Sequence, residues 1–221
     1  MGVVVVIAPH PDDETLGCGG AILKHISQGD DVYWLIMTSM HKPSFTSDQI
    51  STRDKEIKQV AKSYGFRDVF LSKFPAAGLD IVPKKDLVSF VCGIFDRICP
   101  EIVYLPHPGD IHSDHEVVFA ASSSCTKSFR HPYIRSVRVY ETLSETEFNI
   151  HPETSGFRPN LWIDVSGFLD QKISIANIYQ SEIGDIPFPR SEHNIRSLAS
   201  YRGSTINVEF AEAFTIIKEV L

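Results

Sequence analysis

Hydrophobic positions along this chain fall into short apolar runs that alternate with longer segments of helical spacing. Val3 to Ala8 is a near-continuous β-branched run, the pattern of a strand buried on both faces. Gly17 to Gln28 follows with Ala21, Ile22 and Ile26 on one side, which predicts a helix. Val32 to Thr38 reads as a second strand. Thr52 to Tyr64 reads as a helix with Ile57, Val60 and Ala61 on its apolar side and Gly65 as its stop. The alternation continues with a short strand at Val69 to Leu71, a helix over Asp86 to Ile98, a strand at Ile102 to Leu105 and a helix over Glu116 to Thr126. Further strands are expected at Arg138 to Glu141 and Leu161 to Val165, and helices over Phe168 to Tyr179 and in the tail from Glu209 to Val220. Such alternation predicts an α/β fold, Rossmann-like and three-layered, with a mostly parallel central sheet. The absence of repeats and linker-like tracts points to a single domain over residues 1–221.

Ligands of parallel sheets bind beyond the carboxyl ends of the strands, and there the chain is richest in polar chemistry. His10-Pro11-Asp12-Asp13-Glu14 follows the first strand. His107-Pro108-Gly109-Asp110-Ile111-His112-Ser113-Asp114-His115 follows the strand at Ile102 to Leu105. Imidazole and carboxylate together suit Zn²⁺ and also Fe²⁺. His10, Asp13 and one or two histidines of the second cluster can supply the three ligands of a catalytic zinc. Such a metal lowers the pKa of a water and polarises a carbonyl. Asp12 and Asp13 are adjacent, so one as ligand and one as base is the natural division. A second histidine could hold an oxyanion as imidazolium and later protonate a leaving amine, with a carboxylate such as Asp114 orienting it. Glu14 reads equally as a partner behind the ligands or as a helix-dipole residue, and His107 reads as a loop residue rather than a ligand. His25, His41, His131, His151 and His193 have no partner motif and read as surface or capping residues. The loops at His41 to Gln49, Leu143 to Asn160 and Gly184 to Ile195 are expected to shape the pocket.

Composition narrows the picture further. The formal net charge of −7, with Lys and Arg scattered, disfavours nucleic acid as a partner. No stretch approaches the ~20 apolar residues of a membrane-spanning helix. The apolar run at the N-terminus stops too early for a secretory signal, so the expected location is cytoplasmic. Val6 stands where a myristoylation signal needs Ser or Thr. Cys18, Cys92, Cys99 and Cys125 form no C-x-x-C pair and read as free, mostly buried thiols. The Gly17-Cys18-Gly19-Gly20 stretch lacks dinucleotide-loop spacing and is expected to let the first helix pack close to the sheet.

These motifs together resemble the PIG-L/LmbE-like family of zinc-dependent N-deacetylases. Ala8 through Gly20 looks like its N-terminal signature, and His112-Ser113-Asp114-His115 like its H-x-D-H signature. Arg53 and Glu56 match an R-x-x-E pattern. Tyr201-Arg202-Gly203 and Ala211-Glu212-Ala213-Phe214 are similar to its C-terminal pattern. The resemblance implies that His10, Asp13 and His115 ligate zinc and that Asp12 is the general base. It implies that His112 stabilises the oxyanion and acts as acid, with Asp114 behind it. Arg53 and Arg202 are the expected substrate-binding residues. The implied substrate is a small acetylated amino sugar of the N-acetylglucosamine type, free, nucleotide-linked or in a glycoconjugate precursor. Relatives often associate, so a homo-oligomer is compatible with the resemblance. Two departures stand out: Ser113 where many relatives have Pro, and Ala76-Ala77 where many carry a polar or acidic residue. The alternatives are a metal-dependent amidase for another N-acyl compound, such as a thiol precursor or antibiotic intermediate, and a non-catalytic zinc-containing sugar-binding protein. Asp12 and His112 speak against the last, since a binder needs neither base nor acid.

Overall fold

The computed structural model describes residues 2–150 and 156–221; Met1 and residues 151–155, His151 among them, lie outside the described part. The first apolar run forms β1 (Val3–Ala8). After it come α1 (Asp13–Ser27), β2 (Asp31–Ile36), α2 (Ser47–Tyr64), β3 (Asp68–Leu71), α3 (Lys84–Ile98), β4 (Ile102–Pro106) and α4 (Ser113–Ser124). The last third holds β5 (Ser136–Tyr140), β6 (Leu161–Asp164), α5 (Leu169–Ala176), α6 (Glu192–Ser204) and β7 (Ala211–Glu219).

The strands form one seven-stranded sheet in the order β3-β2-β1-β4-β5-β7-β6. Pairing is parallel from β3 through β5, and β7 is antiparallel to both its neighbours. The alternation of β1 explains its unbroken apolar sequence. Val4, Val6 and Ala8 pack on one face in a core shared with Ile22, Ile57, Val60 and Ile175, from α1, α2 and α5. Val5 and Ile7 pack on the other with Leu87, Val91, Phe95 and Val118, from α3 and α4. Both faces are covered, as parallel sheets require. The chain leaves β1 toward β2 on one side and returns to β4 on the other. The crevice between the carboxyl ends of β1 and β4 is therefore the switch point where such sheets bind ligands.

Two expectations fail in the C-terminal third. The tail is not helical. Its Ala and Glu residues suggest a helix, but Thr215, Ile216 and Ile217 are β-branched and favour a strand. Pairing with both β5 and β6 gives that strand a place inside the sheet. Conversely, α6 lies where no helix was expected. Only Ile195, Ala199 and Gly203 of α6 are buried, a stripe one residue wide at i, i+4 and i+8, too narrow to stand out in a polar sequence. Ser191 starts it by accepting a hydrogen bond from the Asn194 amide at 3.2 Å. Helices α1 to α4 begin earlier than apolar spacing suggests, and at α2 and α4 a side-chain cap sets the start. Thr46 and Gln49 form a reciprocal capping box at the start of α2.

The glycines of α1 serve close packing, as expected. A Cβ on Gly17 would lie 2.2 Å from the Tyr140 ring, and one on Gly20 2.7 Å from Val165. Cys18 and Cys125 are buried, Cys92 is partly buried and Cys99 is exposed; none is in a disulfide. Among the described residues, no helix is long and apolar enough to cross a membrane.

Candidate metal centre and its cavity

Both polar clusters sit at helix starts, and local hydrogen bonds explain their shape. Asp12 precedes α1 with φ 139°, a backbone conformation that is strained for a residue with a Cβ. The buried Glu14 holds it there. One Glu14 oxygen accepts from the Asp12 amide at 3.0 Å, and the other from Thr15 Oγ1 at 2.6 Å and Tyr179 OH at 2.8 Å. Burial pushes the Glu14 carboxyl up to about 7. At the second cluster His112 is the N-cap of α4, its Nδ1 accepting from the Asp114 amide at 3.1 Å. That cap puts Asp114 and His115 in the first turn, pointing back toward β1.

His10, Asp13 and His115 converge, with one ligand atom from each within 4.8 Å of the others. Their outward atoms are fixed by carboxylates. His10 Nε2 lies 3.0 Å from Asp114 Oδ2, and His115 Nδ1 lies 2.8 Å from Asp110 Oδ2. Carboxylates on the far nitrogens are the usual way to orient metal-binding imidazoles. Their inward atoms are not all satisfied. Asp13 Oδ1 and His115 Nε2 are buried without a hydrogen-bond partner, an arrangement that costs about 1–3 kcal/mol per group unless something occupies the space between them. Burial disfavours charge on His10, yet Asp114 and Asp13 outweigh it and raise His10 to about 9. His115 is likewise raised, by Asp13 and Asp110 against burial. Asp13 is held well below the usual carboxylate range, its histidine neighbours overcoming its burial. The place attracts positive charge, and two imidazoles with one carboxylate fit a divalent metal such as Zn²⁺ or Fe²⁺. A second grouping, His10, His112 and Asp114, also clusters. It is the poorer donor set, because the Asp114 oxygens already accept from the Ala77 and Leu79 amides at 2.8 and 3.0 Å.

His10, Asp12 and His112 line a cavity of roughly 270 Å³ beside these donors. Phe45, Glu145 and Arg190 complete its wall, one from each of the three loops expected to shape it. Residues 5–126, which contain both clusters, match the family described as PIG-L, GlcNAc-PI de-N-acetylase. The chain belongs to the PIG-L family. Membership makes it an amide hydrolase of the deacetylase type. Diacetylchitobiose deacetylase of Thermococcus kodakarensis is 23% identical over 227 residues, covering 97% of this chain and 82% of the relative. The conserved protein TT1542 of Thermus thermophilus superimposes with a TM-score of 0.78 at 24% identity, covering 100% of this chain and 97% of that one. The 4-carboxy-2-hydroxymuconate hydratase GalB of Pseudomonas putida superimposes with a TM-score of 0.77 at 17% identity, covering 100% and 98%. The last likeness is one of fold, and a fold can host more than one reaction.

Against the PIG-L motifs, the other expected site residues divide. Asp12 and His112 face the cavity. Asp114 does not orient His112: its carboxylate turns to His10, and only its backbone amide touches His112. Arg53 reaches the cavity wall but is engaged throughout. It donates to the Pro11 carbonyl at 2.7 Å and to Ser181 at 3.2 Å, and pairs with Glu182 and Glu56. Arg202 lies elsewhere, in a two-pronged pair with Glu141 at 2.8 and 2.6 Å, and does not line this cavity. Ala76 and Ala77 form part of the wall, so the departure noted there leaves an apolar surface. His107 accepts from the Gly109 amide and stays outside the donor trio.

Two residues escaped sequence reasoning. Asp110 fixes His115, and its only signal is its place five residues before a ligand. Arg190 binds Asp12 Oδ2 at 2.6 Å, Glu145 at 3.0 Å, Glu182 at 3.3 Å and Ser144 at 2.6 Å. It ties the loop after β5 and the loop between α5 and α6 to Asp12, and nothing in the Pro-rich sequence around it marks it for that.

Proposed function

We propose that the protein is a zinc-dependent N-deacetylase that hydrolyses the acetamide of an N-acetylated amino sugar. The observation that carries this reading is the buried trio of His10, Asp13 and His115, with two orphaned inward atoms, opening onto a cavity lined by Asp12 and His112. Zinc held there supplies a water of lowered pKa and polarises the amide carbonyl. The chain's own groups do the rest. Asp12 takes the proton of the attacking water, and burial together with Asp13 raises its affinity for that proton. Arg190 holds one of its oxygens, so the other is the free acceptor.

His112 acts differently from the imidazolium first expected. Burial and the neighbouring His10 and His115 push it down to about 4, and its Nδ1 is occupied as an acceptor. A neutral imidazole with hydrogen on Nε2 results. It donates that hydrogen bond to the oxyanion, and the proton delivered to the leaving amine comes from Asp12. The test is acetate release from N-acetylglucosamine and its glycosides, with and without a chelator, followed by zinc re-addition. Release that stops with the chelator and returns with zinc is expected. Undiminished release from the chelated protein would overturn the reading.

A further inference from the structure

The cavity has two unlike walls. Around Asp12 it is crowded with charge, but each positive group is already neutralised. Arg53 is paired with Glu182 and Glu56, and Arg190 with Asp12, Glu145 and Glu182. Asp54 adds a further carboxylate to the lining. Among the described lining residues there are two guanidiniums against four carboxylates, and no lysine. A phosphate or carboxylate placed beyond reach of the metal centre would find no unengaged guanidinium there, and would meet like charge in a partly dry site. Much of the remaining lining is apolar: Met40, Phe45, Ile50, Ile57 and Leu71 face the same space. Leu71 is 42% exposed although it is a large hydrophobe, and Phe45 and Ile50 are only partly covered.

We propose that this apolar wall is a subsite for an uncharged, apolar substituent of the sugar, an aryl or alkyl aglycone, and that phosphate- and carboxylate-bearing conjugates are disfavoured. This rests on the deacetylase reading for the identity of the sugar, but it can be tested apart from it. Glu182 is the specificity-determining group, because it bridges both arginines and removes the charge that an anionic conjugate would need. Phe45 and Ile50 are its counterpart on the apolar side.

The experiment measures binding rather than turnover. Methyl glucoside, phenyl glucoside and glucose 1-phosphate, each as both anomers, contain no amide and are not consumed. Calorimetric titration into the zinc-loaded protein, with saturating acetate present to compete with direct ligation of the metal by phosphate, is expected to show the phenyl glucoside binding about tenfold tighter than the methyl, the gain for roughly 60 Å² of apolar surface leaving water. Glucose 1-phosphate is expected to bind more weakly than the methyl glucoside. Phe45→Ala should narrow the phenyl-to-methyl ratio severalfold, and Glu182→Gln should raise affinity for the phosphate. Phosphate binding equal to or tighter than methyl overturns the proposal. So does a phenyl glucoside that binds no better than methyl, including no binding by either. Acetate release is scored separately. Failure of release with the phenyl preference intact removes the deacetylase reading and leaves the subsite; release with the phosphate preferred does the reverse.

Discussion

Two buried charged clusters flank α1, and they are built in opposite ways. At its middle, Lys172 donates to the Leu16 carbonyl at 2.9 Å and to Glu212 at 2.7 Å. Glu212 in turn accepts from the Gly20 and Ala21 amides at 2.8 and 2.7 Å. Those amides follow the kink at Cys18, where the helix effectively starts again and needs a cap. At the N-terminal end of the same helix, Asp13 and His115 are equally buried, yet Asp13 Oδ1 and His115 Nε2 make no hydrogen bond, His115 Nε2 having only the ion-pair contact with Asp13 Oδ2 at 3.3 Å. A satisfied buried cluster holds structure together; an orphaned one that the fold preserves is reserved for something that binds.

The largest effect separating the two should come from His115→Ala. Loss of a ligand should take bound zinc from near one per chain to background. It should also lower acetate release by about 10³-fold or more, since the metal supplies several kcal/mol of transition-state stabilisation. Elemental analysis beside activity checks it, and a variant that keeps its zinc would undo the distinction. Next is stability. Glu212→Ala leaves Lys172 buried and unpaired, a loss of about 3–5 kcal/mol in urea unfolding. Asp13→Asn in zinc-free protein at pH 8 should cost clearly less. His10 and His115 keep Asp114 and Asp110 as carboxylate partners once the Asp13 charge is gone, so neither is left as an unpaired buried charge, whereas Lys172 is. Equal losses would mean that both clusters are structural. Asp12→Asn then isolates chemistry from binding: a fall of about 10²–10⁴-fold in turnover at unchanged zinc content.

How much of this was legible in the sequence follows the same division. β1 was readable to the residue because a strand buried on both faces has no polar position to blur it. His10 and Asp13 were candidates from side-chain identity at short spacing after the first strand, whereas spacing left the histidine of the second cluster open and the family resemblance singled out His115. Arg190 was not readable, since its role arises only when loops distant in sequence close over the site, and Asp110 was not, since spacing does not reveal that its carboxylate turns to His115. Nor does spacing reveal that the Asp114 carboxylate turns to His10. The strand β7 was hidden because its place between β5 and β6 is a tertiary fact that overrides local helix propensity.

The smallest effect concerns the carboxylates behind the two histidines, and it should differ between them. Asp110 touches His115 Nδ1 with one oxygen and accepts from the Thr146 hydroxyl at 2.6 Å with the other. In Asp110→Asn the amide oxygen can still accept from His115, and the hydroxyl can turn to accept from the new NH₂ group. Geometry survives and only charge is lost, so zinc affinity should fall by about tenfold, at the low end for such outer carboxylates. Asp114 has no such freedom. Both its oxygens accept from backbone amides, and one also faces His10. Asp114→Asn must set an NH₂ group against an N–H that cannot turn, so its loss should approach about 100-fold. Competition with a zinc chelator measures both variants on one scale. Equal losses would show that charge alone matters behind the metal, and that the rigid backbone partners of Asp114 contribute nothing to holding His10.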